Sequence, residues 1–163
     1  MSEILHIYTD GSCSPNPGPG GWGWASFSGD KEQDWDYGGE FSSTNNIMEL
    51  TAVIEALDSY PTGEEYKVFS DSQYVVKGLV KDVKGEQLFN PGEYTGWMKG
   101  WISSGWKKPK KNIKLWKKLD KAIREHLLND SKITFEWVKA HNSHPKNDRA
   151  DELANIGREK INE

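Results

Sequence analysis

Four carboxylates, each in its own short polar run, are the residues of this chain best equipped for chemistry. They are Asp10 in Tyr8-Thr9-Asp10-Gly11-Ser12, Glu49 in Thr44-Asn45-Asn46-Ile47-Met48-Glu49, Asp71 in Ser70-Asp71-Ser72-Gln73, and Asp151 in Asp148-Arg149-Ala150-Asp151-Glu152. Asp10 and Asp71 follow apolar, strand-like runs, and Glu49 and Asp151 lie at the starts of predicted helices. Carboxylates brought to one point repel unless a cation neutralises them, so convergence would create a divalent-metal site. Oxygen-only ligands favour Mg²⁺ or Mn²⁺ over zinc. Singly, each has a humbler use: Asp10 before Gly11 suits a turn, and Asp71 and Asp151 suit a helix cap or first turn.

The surrounding pattern supplies elements that could bring them together. Ile4–Thr9, Trp22–Phe27 and Trp35–Phe41 read as three strands, and short connections make them an antiparallel meander. Ser14 to Gly21, rich in Pro and Gly, reads as neither helix nor regular strand. Thr44 or Asn45 caps a helix that stops before Tyr60-Pro61. Tyr66–Ser70 is a fourth strand, parallel to the first because a helix joins them. Gln73–Val80 reads as a short helix, 81–95 as an irregular excursion, and Trp97–Ile102 and Ile113–Leu128 as helices. A fifth strand, Ile133–Val138, and a last helix, Asp148–Ile161, follow. The expectation is one α/β domain over 1–163 with a five-stranded mixed sheet. The first three strands are antiparallel, the rest parallel, and helices cover both faces. Sites on such sheets favour strand carboxyl ends, where Asp10 and Asp71 stand.

Bulk composition narrows the partner. The chain has 163 residues, 35% hydrophobic and 28% charged, which suits a single folded domain. No apolar run reaches the roughly 20 residues of a membrane helix, and the immediate strand-like start leaves no room for a signal peptide. Cys13 is the only cysteine, which fits a reducing, cytoplasmic setting. Residues 97–124 hold ten Lys or Arg and one acid, Asp120, so the segment is +9 and the remainder −13 under a net charge of −4. That asymmetry points to a polyanionic partner, although a solvated helix face would carry similar charge.

Read together, these motifs resemble type 1 ribonuclease H, almost end to end. The resemblance is carried by Asp10-Gly11-Ser12 with Asn16-Pro17-Gly18-Pro19-Gly20-Gly21, by Thr44-Asn45-Asn46 with Met48-Glu49, and by Asp71-Ser72-Gln73-Tyr74-Val75. It is completed by Trp137-Val138-Lys139 with His141, His144-Pro145, Asn147 and Asp151-Glu152-Leu153-Ala154. The chain departs from the family pattern at 81–95, which looks like an insertion, and at Ile47, where some bacterial members carry Arg. It also leaves no room for the separate N-terminal hybrid-binding domain of some relatives.

The resemblance implies a ribonuclease H-like fold and an endoribonuclease that cuts the RNA strand of RNA/DNA hybrids, leaving 5′-phosphate and 3′-hydroxyl ends. Two Mg²⁺ ions, with Mn²⁺ as a substitute, would serve as cofactors. Asp10 would be shared, Glu49 and Asp71 would complete one ion's ligands, and Asp151 the other's. His141 would move a proton at the leaving oxygen or aid product release. Asn16, Asn45, Gln73 and the backbone around Cys13 and Ser14 would sense 2′-hydroxyls. Thr44 and Asn45 would hold a DNA phosphate, with Asn46 on the same substrate surface. Trp97 would line the DNA channel, and Lys107, Lys108, Lys110 and Lys111 would form a basic protrusion within 97–118. The implied particle is a cytoplasmic monomer without a membrane partner. Junction resolvases and integrase-type enzymes share the acidic sheet but act on DNA. A non-catalytic binding module and a metal-free carboxylate-pair glycosidase complete the alternatives.

Overall fold

The computed structural model describes residues 4–82, 87–88, 93–108, 111–140 and 144–161. Strands β1 (Leu5–Cys13), β2 (Gly18–Ser28) and β3 (Lys31–Ser43) lead to α1 (Asn45–Asp58), β4 (Glu65–Ser70) and α2 (Gln73–Leu79). Then come β5 (Gln87–Leu88), α3 (Trp97–Ser103), α4 (Ile113–Leu128), β6 (Lys132–Trp137) and α5 (Pro145–Lys160). The sheet order is β3-β2-β1-β4-β6-β5. The meander β1-β2-β3 is antiparallel, and β4 runs parallel to both β1 and β6. The five expected strands are therefore all present in the expected sense. The two-residue β5 adds a sixth, antiparallel to β6, within the expected insertion. Most of that insertion, 83–86 and 89–92, lies outside the described residues. At its end, Tyr94 is buried and its hydroxyl donates to Asp120 over 2.6 Å.

Side-chain alternation decides which helix covers which face. Ile7, Trp24, Tyr66, Val68, Ile133 and Phe135 point to the side of α1, where Leu50, Val53, Ala56 and Leu57 meet them. Helices α2, α3 and α4 extend this larger core, with Trp116 and Met98 fully buried. On the opposite face Tyr8, Phe27 and Phe69 pack under Ala150 and Leu153 of α5. Gly21 lets α5 lie against the sheet: a Cβ there would stand 2.1 Å from the Ala154 carbonyl oxygen.

Several boundaries differ from the sequence expectation: β1 continues through Asp10 to Cys13, and β3 extends from Lys31 to Ser43. Gly18 to Gly21 belongs to β2 and is not a loop. Pro19 falls at a register shift between Gly18 and Gly20, where a missing N–H does not break the ladder. Helix α5 starts three residues earlier than Asp148, because Pro145 occupies its first turn, where proline's fixed φ and absent donor cost nothing.

Candidate active site

The parallel register of β1 and β4 builds half the site. Its last paired residues are Thr9 and Ser70, so Asp10, still within β1 and paired with Gly23 of β2, stands beside Asp71, just past the carboxyl end of β4. The turn after β4 is fixed locally. The Ser72 N–H donates to Ser70 Oγ (3.1 Å), and Ser72 Oγ caps α2 by accepting from the Val75 N–H (3.2 Å). From β6, the Trp137 indole N–H donates to the Asp71 carbonyl over 3.1 Å.

Glu49 arrives from the first turns of α1. Thr44 caps that helix, its hydroxyl accepting from the Ile47 N–H over 3.2 Å, a contact worth about 1 kcal/mol. The Gly11 N–H donates to Asp10 Oδ1 (2.9 Å) and also to Glu49 Oε1. Carboxylate atoms of Asp10, Glu49 and Asp71 lie within 4.8 Å of one another. Asp151, from α5, lines the same pocket of about 310 Å³, together with Gly11, Asn45, Asn46, Ser72 and Ala140. The four carboxylates singled out in the sequence thus share one pocket.

The electrostatics are those of crowded anions. Asp10 is 5% exposed and Glu49 8%, and both carboxyl groups are held well above the ordinary carboxylate range. Burial is the largest cause for each. For Asp10, a hydrogen bond with Glu49 works in the opposite direction, while Asp71 and Asp151 reinforce the rise. For Glu49, the Asp10 and Asp71 charges add to burial. Such a donor set is all oxygen, anionic and partly desolvated, and a hard divalent cation would relieve its repulsion.

The remaining expected residues fall into three groups. Asn45 and Asn46 line the pocket, and the exposed Asn16 accepts the Asn45 N–H at 3.2 Å, tying the β1–β2 loop to the start of α1. Ser14 and Gln73 are exposed, whereas Cys13 is buried with its sulfur 3.3–3.4 Å from the carbonyl oxygens of Pro15, Gly18 and Ser43, which offer its one thiol proton alternative acceptors. Trp97, 44% exposed, forms a separate groove of about 480 Å³ with Trp101, Ser104, Lys107 and Lys108. Lys111 is exposed nearby in sequence, and the fully buried Trp116 shows that the 97–118 stretch contains core as well as surface. Lys110 and His141 lie outside the described residues.

Sequence reasoning missed Ser72 and Ala140 as pocket residues. It also missed the packing of His144, whose Nε2 lies 3.4 Å from the Tyr8 hydroxyl. Burial pushes that hydroxyl up to about 12, with Glu136 contributing.

A mixed sheet of this order, with a carboxylate pocket beside Asp10 of β1 and the carboxyl end of β4, is the architecture of RNase H-like folds. The RNase H family model matches residues 2–159, and a ribonuclease H of Hahella chejuensis is 44% identical over 94% of this chain and 92% of its own. Among solved structures, LC9-RNase H1, a type 1 RNase H with the type 2 active-site motif, superimposes with a TM-score of 0.71. It is 25% identical, and the match covers 98% of this chain and 74% of that one. LC11-RNase H1, solved in complex with an RNA/DNA hybrid, has the same fold, with a TM-score of 0.67 at 22% identity over 98% of this chain and 99% of that one. The chain belongs to the RNase H family and is an enzyme of the ribonuclease H type.

Proposed function

We propose that this enzyme is an endoribonuclease that hydrolyses the RNA strand of RNA/DNA hybrids by two-metal-ion catalysis, leaving 5′-phosphate and 3′-hydroxyl ends. The observation that carries the reading is the cluster of Asp10, Glu49 and Asp71 within 4.8 Å, with Asp151 on the same pocket, in a chain of this family. Asp10, Glu49, Asp71 and Asp151 would hold two Mg²⁺ ions, with Mn²⁺ as a substitute. Bound there, divalent ions would supply Lewis acidity and neutralise charge developing at the phosphate.

The chain's own residues orient the substrate. Asn45 and Asn46 edge the pocket and can both donate to and accept from a 2′-hydroxyl or a phosphate oxygen. Asn16, Gln73 and the backbone at Cys13 and Ser14 extend that surface along the RNA strand. Thr44 adds to the phosphate contact beside Asn45. Trp97 with Lys107, Lys108, Lys110 and Lys111 would take the DNA strand by stacking and charge. His141 is assigned the proton at the leaving oxygen. The enzyme is read as a cytoplasmic monomer, the location being the one that a single, buried thiol fits.

The experiment presents one labelled RNA strand as a single strand, an RNA duplex and an RNA/DNA hybrid, with Mg²⁺ and with chelator. Cleavage is expected only for the hybrid and only with metal, and Asp71→Asn should abolish it while the circular dichroism spectrum is kept. Cleavage of DNA instead would move the enzyme to the resolvase branch, and activity in chelator would overturn the metal assignment.

A further inference from the structure

The four pocket carboxylates are not held in the same way. Asp10 and Glu49 are fixed by the Gly11 N–H, and Asp71 sits in a turn fixed by its serine neighbours. Asp151 is instead held through side chains. Asn155, one helical turn further along α5, points its Nδ2 at Asp151 Oδ2, 3.5 Å away. The Asn155 Oδ1 accepts from the Ser12 hydroxyl at 2.9 Å, and Ser12 Oγ accepts from Arg158 Nη1 at 2.6 Å.

The direction of this relay is dictated by chemistry. A guanidinium can only donate. Ser12 must therefore accept from Arg158, which leaves its single hydroxyl proton for Asn155 Oδ1. With its oxygen so engaged, the Asn155 amide can turn only its N–H side to Asp151. Tyr8, Asp10 and Ser12 alternate onto the face of β1 that α5 covers. Ser12 thus ties α5 to the strand that carries Asp10, two residues beyond it.

We propose that Asn155, oriented by Ser12 and Arg158, is a positioning residue for Asp151 and sets how tightly the pocket takes up a divalent cation. The proposal rests on the metal reading given above. Asn155 engages Oδ2 and so fixes the orientation of the Asp151 carboxylate in the pocket. It also removes rotamer freedom that the carboxylate would otherwise lose on binding. Partners of ligating carboxylates typically change metal affinity or activity by about 10–100-fold.

The test is Mg²⁺ titration of the free protein by calorimetry, beside steady-state cleavage of a hybrid, for wild type, Asn155→Leu, Ser12→Ala and Ser12→Thr. Asn155→Leu keeps the volume without the donor, and Ser12→Thr keeps the hydroxyl that Ser12→Ala removes. Mg²⁺ affinity should fall about tenfold in Asn155→Leu and Ser12→Ala. At fixed Mg²⁺, kcat should fall with KM for the hybrid within about twofold of wild type, and Ser12→Thr should restore both affinity and rate. If either variant loses its native near-ultraviolet circular dichroism, Arg158→Met breaks the relay at its far end, and the same loss of affinity is required of it. Variants that bind Mg²⁺ like wild type overturn the relay alone. A wild-type protein that binds no Mg²⁺ overturns the metal reading and the relay with it.

Discussion

The Gly11 N–H donates to the Glu49 carboxylate, so β1 and the first turns of α1 meet at a position where strand residue 11 has no side chain. A Cβ on Gly11 would lie 2.4 Å from the Glu49 backbone nitrogen and 2.9 Å from its Oε1. Gly11→Ala must therefore push α1 away. A misplacement of about 1 Å at a reacting centre can cost about 100-fold in rate, and overpacking typically costs about 1–3 kcal/mol. The expected outcome is a loss of turnover of that order with a lower melting temperature, measured by hybrid cleavage and thermal unfolding. Wild-type turnover in Gly11→Ala would show that the approach is not needed.

Burial of Asp10 and Glu49, reinforced by the neighbouring carboxylates, predicts a pH dependence of stability. Both carboxyl groups keep their protons in the folded chain at pH values where the unfolded chain, with carboxyl pKa near 4, has released them. The folded state binds more protons in that window, so stability falls as pH rises from about 4 through the raised values. Without metal, Asp10→Asn should melt higher than wild type at neutral pH, by about 2–4 °C for each kcal/mol of charge burial and repulsion removed. Mg²⁺ should raise the wild-type melting temperature and leave that of Asp10→Asn nearly unmoved. An Asp10→Asn protein melting at or below wild type would contradict the repulsion.

Tyr74 is the hub between the sheet's larger core and the tryptophan groove. Its hydroxyl accepts from the Trp116 indole N–H at 3.0 Å and from Asn112 Nδ2 at 3.1 Å, and its ring meets Trp97 edge-on at 6.0 Å. Asn112 itself holds a left-handed backbone, with φ of 60°, at the start of α4. Tyr74→Phe leaves the fully buried Trp116 N–H unpaired, at a cost of about 1–3 kcal/mol. Chemical denaturation should read that loss, and KM for the hybrid should stay near wild type because phenylalanine keeps the ring that meets Trp97. An unchanged unfolding midpoint would mean that the two donors find other partners.

The lysine turn predicts a salt effect. Lys107, Lys108 and Lys111 are exposed, and Asp120, the only acid in the basic segment, is engaged by Tyr94 and by Arg124 at 2.9 Å. Replacing the three lysines with alanine should lower the slope of log affinity against log salt by about one for each phosphate contact removed. KM should rise more than kcat falls. An unaltered slope would make the turn a solvated surface.

The order of strands and helices was legible because apolar alternation and caps are local. Thr44 as a cap and Ile113–Leu128 as a helix needed no tertiary knowledge. The errors fell where local preference yields to pairing: Pro19 enters β2 because a register shift receives it. For the site, the motif contexts singled out all four carboxylates. The network behind Asp151 was illegible for another reason. Asn155 lies on the Asp151 face by helical spacing, but only the register of α5 against β1 reveals that Ser12 and Arg158 orient it.

The late position of α5 in the chain has a consequence for synthesis. A ribosome that has finished β6 has released Asp10, Glu49 and Asp71 but has not yet made Asp151, and Tyr8, Phe27 and Phe69 still lack their cover from Ala150 and Leu153. A nascent chain at that stage is a sheet with one bare face and an incomplete pocket. Completion of the last helix shields the face and supplies the fourth acid in the same event. A product truncated before Pro145 would lack the fourth acid and leave Tyr8, Phe27 and Phe69 uncovered, the kind of exposed apolar surface that makes folding intermediates prone to aggregate.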